Sequence, residues 1–311
     1  MGDVPRHSAQ WPVPEDQSAD GARGGSTVVD VHRPPPPRVR PTRASRLVGA
    51  VPAGTVGLGA EVGGMVQFAG SVLWSIVRYP LGYWGAVRDE LYSTLKLIWL
   101  PMIAAVFCFG MFVGILSLTF LILIGANYLY GPVMLTTSMR DFSTWINAMV
   151  VAGVVGAAIT ADLGARRIRE EIDALEVLGV DPIRSLVVPR VVATTIMTGL
   201  LSIISVTVAI VDSAAATNYM GHLPIGVYFS NVFNDVTPAA VIAFVVDAIL
   251  TGFVIAVVCS YKGLYAKGGA IGVGRAVNQA VVISFVGIWI LQFFYSAIVL
   301  GLFPAISSTA R

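Results

Sequence analysis

The sequence predicts an all-α integral membrane protein. It has about five transmembrane helices, an interfacial elbow helix before them, and a short amphipathic helix on the cytoplasmic side between spans two and three. Three observations carry this. Hydrophobic residues make up 56% of the 311 and charged residues only 12%, with a mean hydropathy of +0.77, whereas a soluble domain needs about 25% charged residues to cover its surface. The apolar residues fall in long runs that match the ~20 residues needed to cross a hydrocarbon core. Lys and Arg gather in alternate connections, the asymmetry that orients membrane helices. The net charge of +2 is too small for a nucleic-acid partner, which needs a concentrated basic face.

Residues 1–46 are a different material. They carry Arg6, Arg23, Arg33, Arg38, Arg40, Arg43 and Arg46 and a proline run from Pro34 to Pro37. Clustered Pro, Gly and Arg with little apolar surface cannot offset the entropy of ordering, which predicts a disordered cytoplasmic tail. It lacks the charged, apolar and small-residue pattern of a secretory signal, so it is expected to be retained. Its basic prolines suit anionic headgroups or a partner domain; a plain flexible tail is the simpler reading.

Residues 47–97 form the elbow region. Over 66–97 the apolar run is broken by Arg78, Pro80, Arg88, Asp89, Glu90 and Lys96, with Trp74, Tyr79, Tyr83 and Trp84 interleaved. Such aromatics favour the headgroup level, and one-sided charge suits a helix lying in the interface plane. A sixth span over 66–77 would be too short. No residue between Lys96 and Arg140 is charged, so span one is placed at 98–123, with 127–132 as the turn. Span two follows at 143–161 between Asp141 and Asp162, span three at 191–211, span four at 238–261 and span five at 280–303.

Arg166, Arg167, Arg169, Arg184 and Arg190 lie between spans two and three, and Lys262, Lys267 and Arg275 between spans four and five. The opposite connections carry only Arg140 and the terminal Arg311. The N-terminus is therefore expected in the cytoplasm and the C-terminus outside. Gly110 with Gly114, and Gly153 with Ala157, have the spacing that lets helix backbones approach closely in lipid. Cys108 and Cys259 sit inside apolar runs and pack as small hydrophobes. His7, His32 and His222 are scattered and form no metal or catalytic constellation, and no cofactor is expected.

The segment 161–190 reads ADLGARRIREEIDALEVLGVDPIRSLVVPR. Ile168, Ile172, Leu175 and Leu178 recur at helical spacing as one apolar stripe, with Arg166, Arg169, Glu170, Asp173 and Glu176 largely off it. Gly179 suits the position just past a helix end, and Pro182 prevents continuation. Read by its residues alone, this is either a solvated loop that satisfies the charge asymmetry or a docking helix for a cytosolic protein. The arginines fit both readings. The interleaved acids fit the second, in which an apolar ridge supplies affinity and mixed charges set register.

The stretch EEIDALEVLGVDPIRSLVVPR resembles the signature of the MlaE/YrbE permeases, the membrane subunits of Mla and Mce lipid transporters. The similarity continues in VVAGVVGAAITADLGARR and CSYKGLYAKGGAIGVGRAVNQAVV and covers roughly 91–303, so 98–311 is taken as an MlaE-like permease domain. The long Pro/Arg-rich tail and the segment TTSMRDFSTWINAMVV depart from the family pattern. The resemblance implies a coupling helix containing Glu170, Glu171, Asp173, Ala174 and Leu175, seated in a groove of a cytosolic ABC ATPase. Arg169, Ile172, Gly179 and Pro182 complete the candidate coupling set. It also implies a plasma-membrane location, a dimer of two permease copies or paralogues, and Mce-domain proteins on the outer side. The compositional bias points to the actinobacterial, Mce-associated branch, where two different permeases favour a heterodimer. The cargo would be a hydrophobic lipid such as a fatty acid, sterol or phospholipid, carried through a cavity between the two permeases near spans one, two and five.

No G-x-x-x-x-G-K-[ST] occurs in the chain, so nothing in it cradles a triphosphate, and energy must come from a partner. Gly268, Gly269, Gly272 and Gly274 follow a span rather than a strand and suit a tight cytoplasmic turn. Within the bilayer, Asp247 near the middle of span four costs about 2.5–3.5 kcal/mol on insertion scales. It marks either a lipid or proton pathway or a carboxyl hydrogen-bonded to a neighbouring helix. Asn147, Asn278 and Gln292 are cheaper to bury and suit interhelical links, and Asp162, Asn278 and Gln292 are kept with Asp247 as candidates for intramembrane polar positions on the lipid path. Asp162 matches the family's acidic position at the cytoplasmic end of span two, where it can link span movement to the coupling helix. The alternative function is a proton-coupled secondary transporter using Asp247; five unequal spans without internal repeats argue against it. A lipid-modifying enzyme would need a surface cluster of His, Asp or Ser that the chain lacks.

Overall fold

The computed structural model describes residues 53–79, 82–219, 224–234 and 236–302; the tail 1–46 and His222 lie outside them. The described residues are helical without a strand, as hydrocarbon demands, because only helices or closed barrels satisfy every backbone group there. In order they are α1 (Ala53–Arg78) and α2 (Trp84–Leu123), then α3 (Tyr130–Ile168) after a short 3-10 turn at Asn127–Leu129. The short α4 (Glu171–Val177) precedes α5 (Ile183–Tyr219). A second short helix, α6 (Ile225–Asn231), leads to α7 (Pro238–Leu264) and α8 (Gly269–Leu302).

The bundle is built around α7, which packs on α5, on α8 and on the second half of α3, while α2 lies against α5. Half of the most apolar window is buried in α3, α5 and α7, against 28% in α2 and 11% in α8. The last two helices therefore form a rim whose outer faces meet lipid or another subunit. Polar side chains stitch the interior. Asn147 donates to Ser202 Oγ (2.7 Å) and to the Thr198 carbonyl (3.1 Å), joining α3 to α5. Thr160 donates to the Cys259 carbonyl (3.0 Å), joining α3 to α7. Cys108 is exposed and Cys259 buried, and neither forms a disulfide.

Six helices, including 59–78 of α1, are long and apolar enough to cross a membrane, one more than the five spans expected. The contacts of α1 nonetheless favour the interface. Glu61 near its start pairs with Lys262, and Tyr79 just past its end lies under the Arg184 guanidinium at 4.1 Å. Phe68 meets Tyr261 and Tyr265 at 5.6 and 6.4 Å, and Phe68 and Val72 pack with Ile172 and Val187. Every one of these partners belongs to the connections 2–3 and 4–5 or the helix turns beside them, at one end of the bundle. A helix of this length spans about 39 Å; were it upright, it would run along α7 rather than keep both ends at that level.

Other boundaries shift. The expected elbow 66–97 is split at Gly82, and its second half is continuous with span one, so α2 has 40 residues, about 60 Å against a core of about 30 Å. Its charged first turns extend beyond the hydrocarbon. The expected turn at 127–132 is shorter, and α3 starts at Tyr130 rather than 143. It contains two π stretches, Ser138–Phe142 and Val151–Gly156, each of which adds a residue and re-aims the following face. Arg140 thus belongs to a helix, not to a loop. The small-residue pair Gly153/Ala157 is also corrected: Gly153 is exposed with open space where a side chain would start, and Gly156 is the residue that meets Cys259. In α2 the expectation of close approach holds for Gly110, which leaves room for the Asp212 carboxylate, and for Gly114 beneath Tyr130.

The backbone of α7 lies tight against α3 at Gly263, where an added Cβ would lie 2.8 Å from Leu163 Cβ and 2.9 Å from the Thr160 carbonyl oxygen. The backbone cannot move aside cheaply. Gly263→Val is expected to lower the stability of the detergent-solubilised protein by about 1–3 kcal/mol, read as a lower midpoint in thermal unfolding. An unchanged midpoint would contradict this packing.

Candidate functional site

At the basic end of the bundle, a chain of ion pairs ties the short helix α4 to three long helices. Asp162 of α3 accepts from Arg166 Nε at 3.1 Å and from Arg190 Nη2 of α5. Arg190, with only 11% of its side chain exposed, also faces Glu90 of α2 at 3.8 Å. Arg166 reaches Glu171 at 3.4 Å, Glu171 accepts from Arg169 Nε at 2.7 Å, and Arg167 pairs with Asp173. Asp162 is thus the node between spans two and three and the helix between them.

The predicted single stripe does not persist through this segment. The helix stops at Ile168, and Glu170 takes a left-handed conformation (φ 59°), uncommon for a residue with a Cβ. Glu170 starts α4, so α4 turns away from α3. Ile172 is buried against α1, whereas Val177 and Leu178 are 88% and 75% exposed. Ile168 and Val180 are also exposed, and Leu175 lies half-buried. Asp173 and Ala174 are exposed, with Asp173 held by Arg167. The end of α4 follows the expectation. Gly179 at φ +75° donates to Glu176, and Val180 donates to Leu175, the bond pair of a Schellman stop. Pro182 is buried just before α5, whose first turn is capped by Asp181 accepting from Ile183 N at 2.9 Å.

Near mid-membrane, Asp247 is buried and accepts from Gln292 Nε2 at 2.9 Å, linking α7 to α8. One helical turn on, Tyr295 donates to the Ala243 carbonyl at 2.6 Å. Asp247, Tyr295 and Ser296 line a small cavity with Arg140, Met139 and Phe244. Beside it, an apolar cleft of about 580 Å³ opens among α2, α3 and α8, walled by Phe109, Phe142, Trp145, Trp289 and Phe293, with Gln292 and Ser296 at its polar edge. Trp145 and Trp289 meet edge to face at 4.2 Å. Asn278 is not part of this group. It is exposed on α8, about 21 Å along the axis from Gln292.

Two residues were missed by sequence reasoning. Arg140 looked like a lone loop charge, and only the early start of α3 brings it to the cavity of Asp247. Asp212 follows the expected end of span three at 211. It is buried at 1% exposure inside α5 with neither carboxylate oxygen hydrogen-bonded among the described residues. An acid beside an apolar run that continues past it, SAAATNY, was the available signal. Among the described residues no group of His, Cys, Asp or Glu could hold a metal.

Comparison with known proteins agrees with this architecture. A family model described as Permease MlaE matches residues 87–298. The chain is 30% identical over 229 residues to a probable ABC transporter permease protein of Rickettsia bellii, covering 73% of this chain and 88% of that one. It is 32% identical over 190 residues to a probable ABC transporter permease protein of Synechocystis, covering 59% and 72%. It is 33% identical over 174 residues to the chloroplastic TRIGALACTOSYLDIACYLGLYCEROL 1 protein of Arabidopsis thaliana, covering 56% of this chain and half of that protein.

Asp162→Asn removes the charge that holds Arg190, whose Nη1 already lacks a partner. The expected cost is about 1–3 kcal/mol, that of leaving a buried donor unsatisfied. Thermal unfolding of the purified protein measures it, and Asp162→Glu should recover part of the loss.

Proposed function

The chain belongs to the MlaE permease family, the membrane subunits of ATP-driven lipid transporters, and from that premise we propose how its own residues couple ATP hydrolysis to lipid movement. It is a multi-pass permease, not an ATPase: hydrolysis occurs in a separate ABC subunit, and permeases of this class work in pairs. The helix α4, residues Glu171–Val177, is the element that meets the ATPase, with the basic end of the bundle in the cytoplasm and the C-terminus outside. The observation that carries this is the pair Val177 and Leu178, large apolar side chains left exposed at the tip of a helix whose other face is anchored.

The division of labour follows from the contacts. Ile172 roots α4 in the membrane domain, and Val177 and Leu178 present the ridge. Arg169, Glu170, Asp173 and Ala174 flank it, while Gly179 and Pro182 stop α4 and aim it. Glu171 is engaged by Arg166 and Arg169, so it transmits rather than docks: a push on α4 reaches Asp162 through Arg166, and from there Arg190 and Glu90. The lipid path follows the apolar cleft of α2, α3 and α8, those being spans one, two and five, with Asp247, Gln292 and Arg140 at its polar flank. The rim helices α2 and α8 suit the contact with the second permease, a copy or a paralogue. An Mce-domain assembly on the outer side would receive or deliver the lipid. The domain division, with an N-terminal cytoplasmic tail, an elbow and a permease domain, belongs to the same proposal.

Val177→Asp/Leu178→Asp should abolish co-purification of the ATPase while leaving the amount and monodispersity of the permease unchanged. Glu170→Lys/Glu171→Lys should weaken co-purification and also lower thermal stability, because Glu171 is part of the internal network. Full retention of the ATPase by the Asp pair would remove α4 as the docking element.

Ser296 lies at the edge of both the small cavity and the apolar cleft. Ser296→Trp should reduce lipid transport by the reconstituted complex to a small fraction of wild type without loss of the ATPase. Transport at the wild-type rate would exclude the cleft from the path.

A further inference from the structure

A second polar pocket lies at the basic end, away from the ion-pair node and the apolar cleft. Its walls come from three elements: Glu61 of α1, Tyr261 to Lys267 at the end of α7, and Gly272 to Gln279 at the start of α8. The pocket has a volume of about 480 Å³. Three cations face it, Lys262, Lys267 and Arg275, against one carboxylate, Glu61. That carboxylate is consumed by Lys262, which also donates to Gln279 Oε1 at 3.0 Å. Lys267 and Arg275 are exposed and have no ion pair or hydrogen bond among the described residues. The pocket therefore keeps two uncompensated positive charges.

Its surroundings point to a class of ligand. Tyr261 and Tyr265 form one wall, their rings 4.8 Å apart and both packed against Phe68 of the elbow. Amphipathic rings of this kind favour the headgroup level, and α1 lies along the same level with exposed Val66, Trp74 and Val77. The connection 265–268 between α7 and α8, with Gly268 and Gly269 at φ +93° and +64°, places Lys267 and Arg275 on the same pocket. A cavity with a tyrosine wall, two unpaired cations and an opening at the membrane surface matches a phosphate-bearing anion. Basic pockets at this depth attract such groups.

We propose that this pocket binds a phosphate group, carried by an anionic phospholipid of the cytoplasmic leaflet or present as soluble phosphate, and thereby holds the elbow helix against spans four and five. The site is separate from the transported cargo and from α4.

The test uses the full-length chain in complex with its ATPase and second permease, passed through nanodiscs of equal parts phosphatidylcholine and phosphatidylglycerol and examined by native mass spectrometry. The wild-type complex should retain phosphatidylglycerol over phosphatidylcholine. Lys267→Gln and Arg275→Gln should each lower that retention about fivefold, and together about twenty-five-fold, the scale of one interfacial cation apiece. Lys96→Gln, which removes a cation stacked on Tyr92 elsewhere, should leave it unchanged. Competition by inorganic phosphate would identify soluble phosphate as the source, and no competition would identify the lipid headgroup. Undiminished phosphatidylglycerol and phosphate binding by the double variant would overturn the proposal. So would loss of the ATPase with lipid retention intact, since the two cations would then belong to the ATPase contact. Should the double variant not fold, wild-type complex labelled with photoreactive phosphatidylglycerol decides: label on 261–279 upholds the site, and its absence there sinks it.

Discussion

The Asp162 carboxylate is the contact on which the basic end of this molecule depends. It lies where the hydrocarbon gives way to water, so its pairs with Arg166 and Arg190 are neither screened as fully as surface pairs nor desolvated as heavily as buried ones. Because Arg190 also faces Glu90 and Arg166 also reaches Glu171, one carboxylate connects α2, α3, α5 and α4. A solvated loop would move independently of the spans. Here the short helix α4 has its buried residue Ile172 packed against α1 and its charges in a shared network, so a shift of α4 is passed to the span ends.

The interior obeys a different economy. In lipid, helices gain little by hiding apolar surface from one another, and close packing with a few hydrogen bonds holds them together. That is why α7, at the centre of the bundle, meets its neighbours through Gly252, Gly263 and small polar side chains, and why Asn147 and Gln292 serve as cross-links. Asp212 stands apart: a buried carboxyl next to Gly110, with neither oxygen hydrogen-bonded among the described residues. Its burial is a feature of the fold that the proposed coupling and lipid-path contacts do not explain.

The rim follows from the same reasoning. Helices α2 and α8 leave most of their apolar surface outside the chain, and a membrane accepts that surface as readily as a partner does. What distinguishes one stretch of rim is its shape. Phe109, Phe142, Trp145, Trp289 and Phe293 open a cleft where a continuous ridge of side chains would have closed it, and the acid–amide pair Asp247–Gln292 lies behind it. Aromatic walls with a narrow polar flank suit a ligand that is mostly hydrocarbon with one polar end.

Hydropathy, charge placement and punctuation were enough to determine an all-helical membrane protein, the cores of five of its six candidate spans and the stop of the short helix at Gly179. These are local properties: a run of apolar side chains must leave water, and a left-handed glycine ends a helix whatever lies nearby. The motif 170–190 was equally legible, because contiguous residues carried it. Other features were settled only by contacts distant in sequence. Residues 59–78 are apolar enough to span, and only the tertiary contacts show Glu61 and Tyr79 held by Lys262 and Arg184. Residues 130–142 look like a loop with a charge, and packing against α5 extends the helix back through them and carries Arg140 to Asp247. The pairing of Asp162 with Arg190, the cleft of three helices and the basic pocket under the elbow join residues up to 201 positions apart. No local pattern encodes such meetings, because they arise from which helix faces turn inward when the bundle closes.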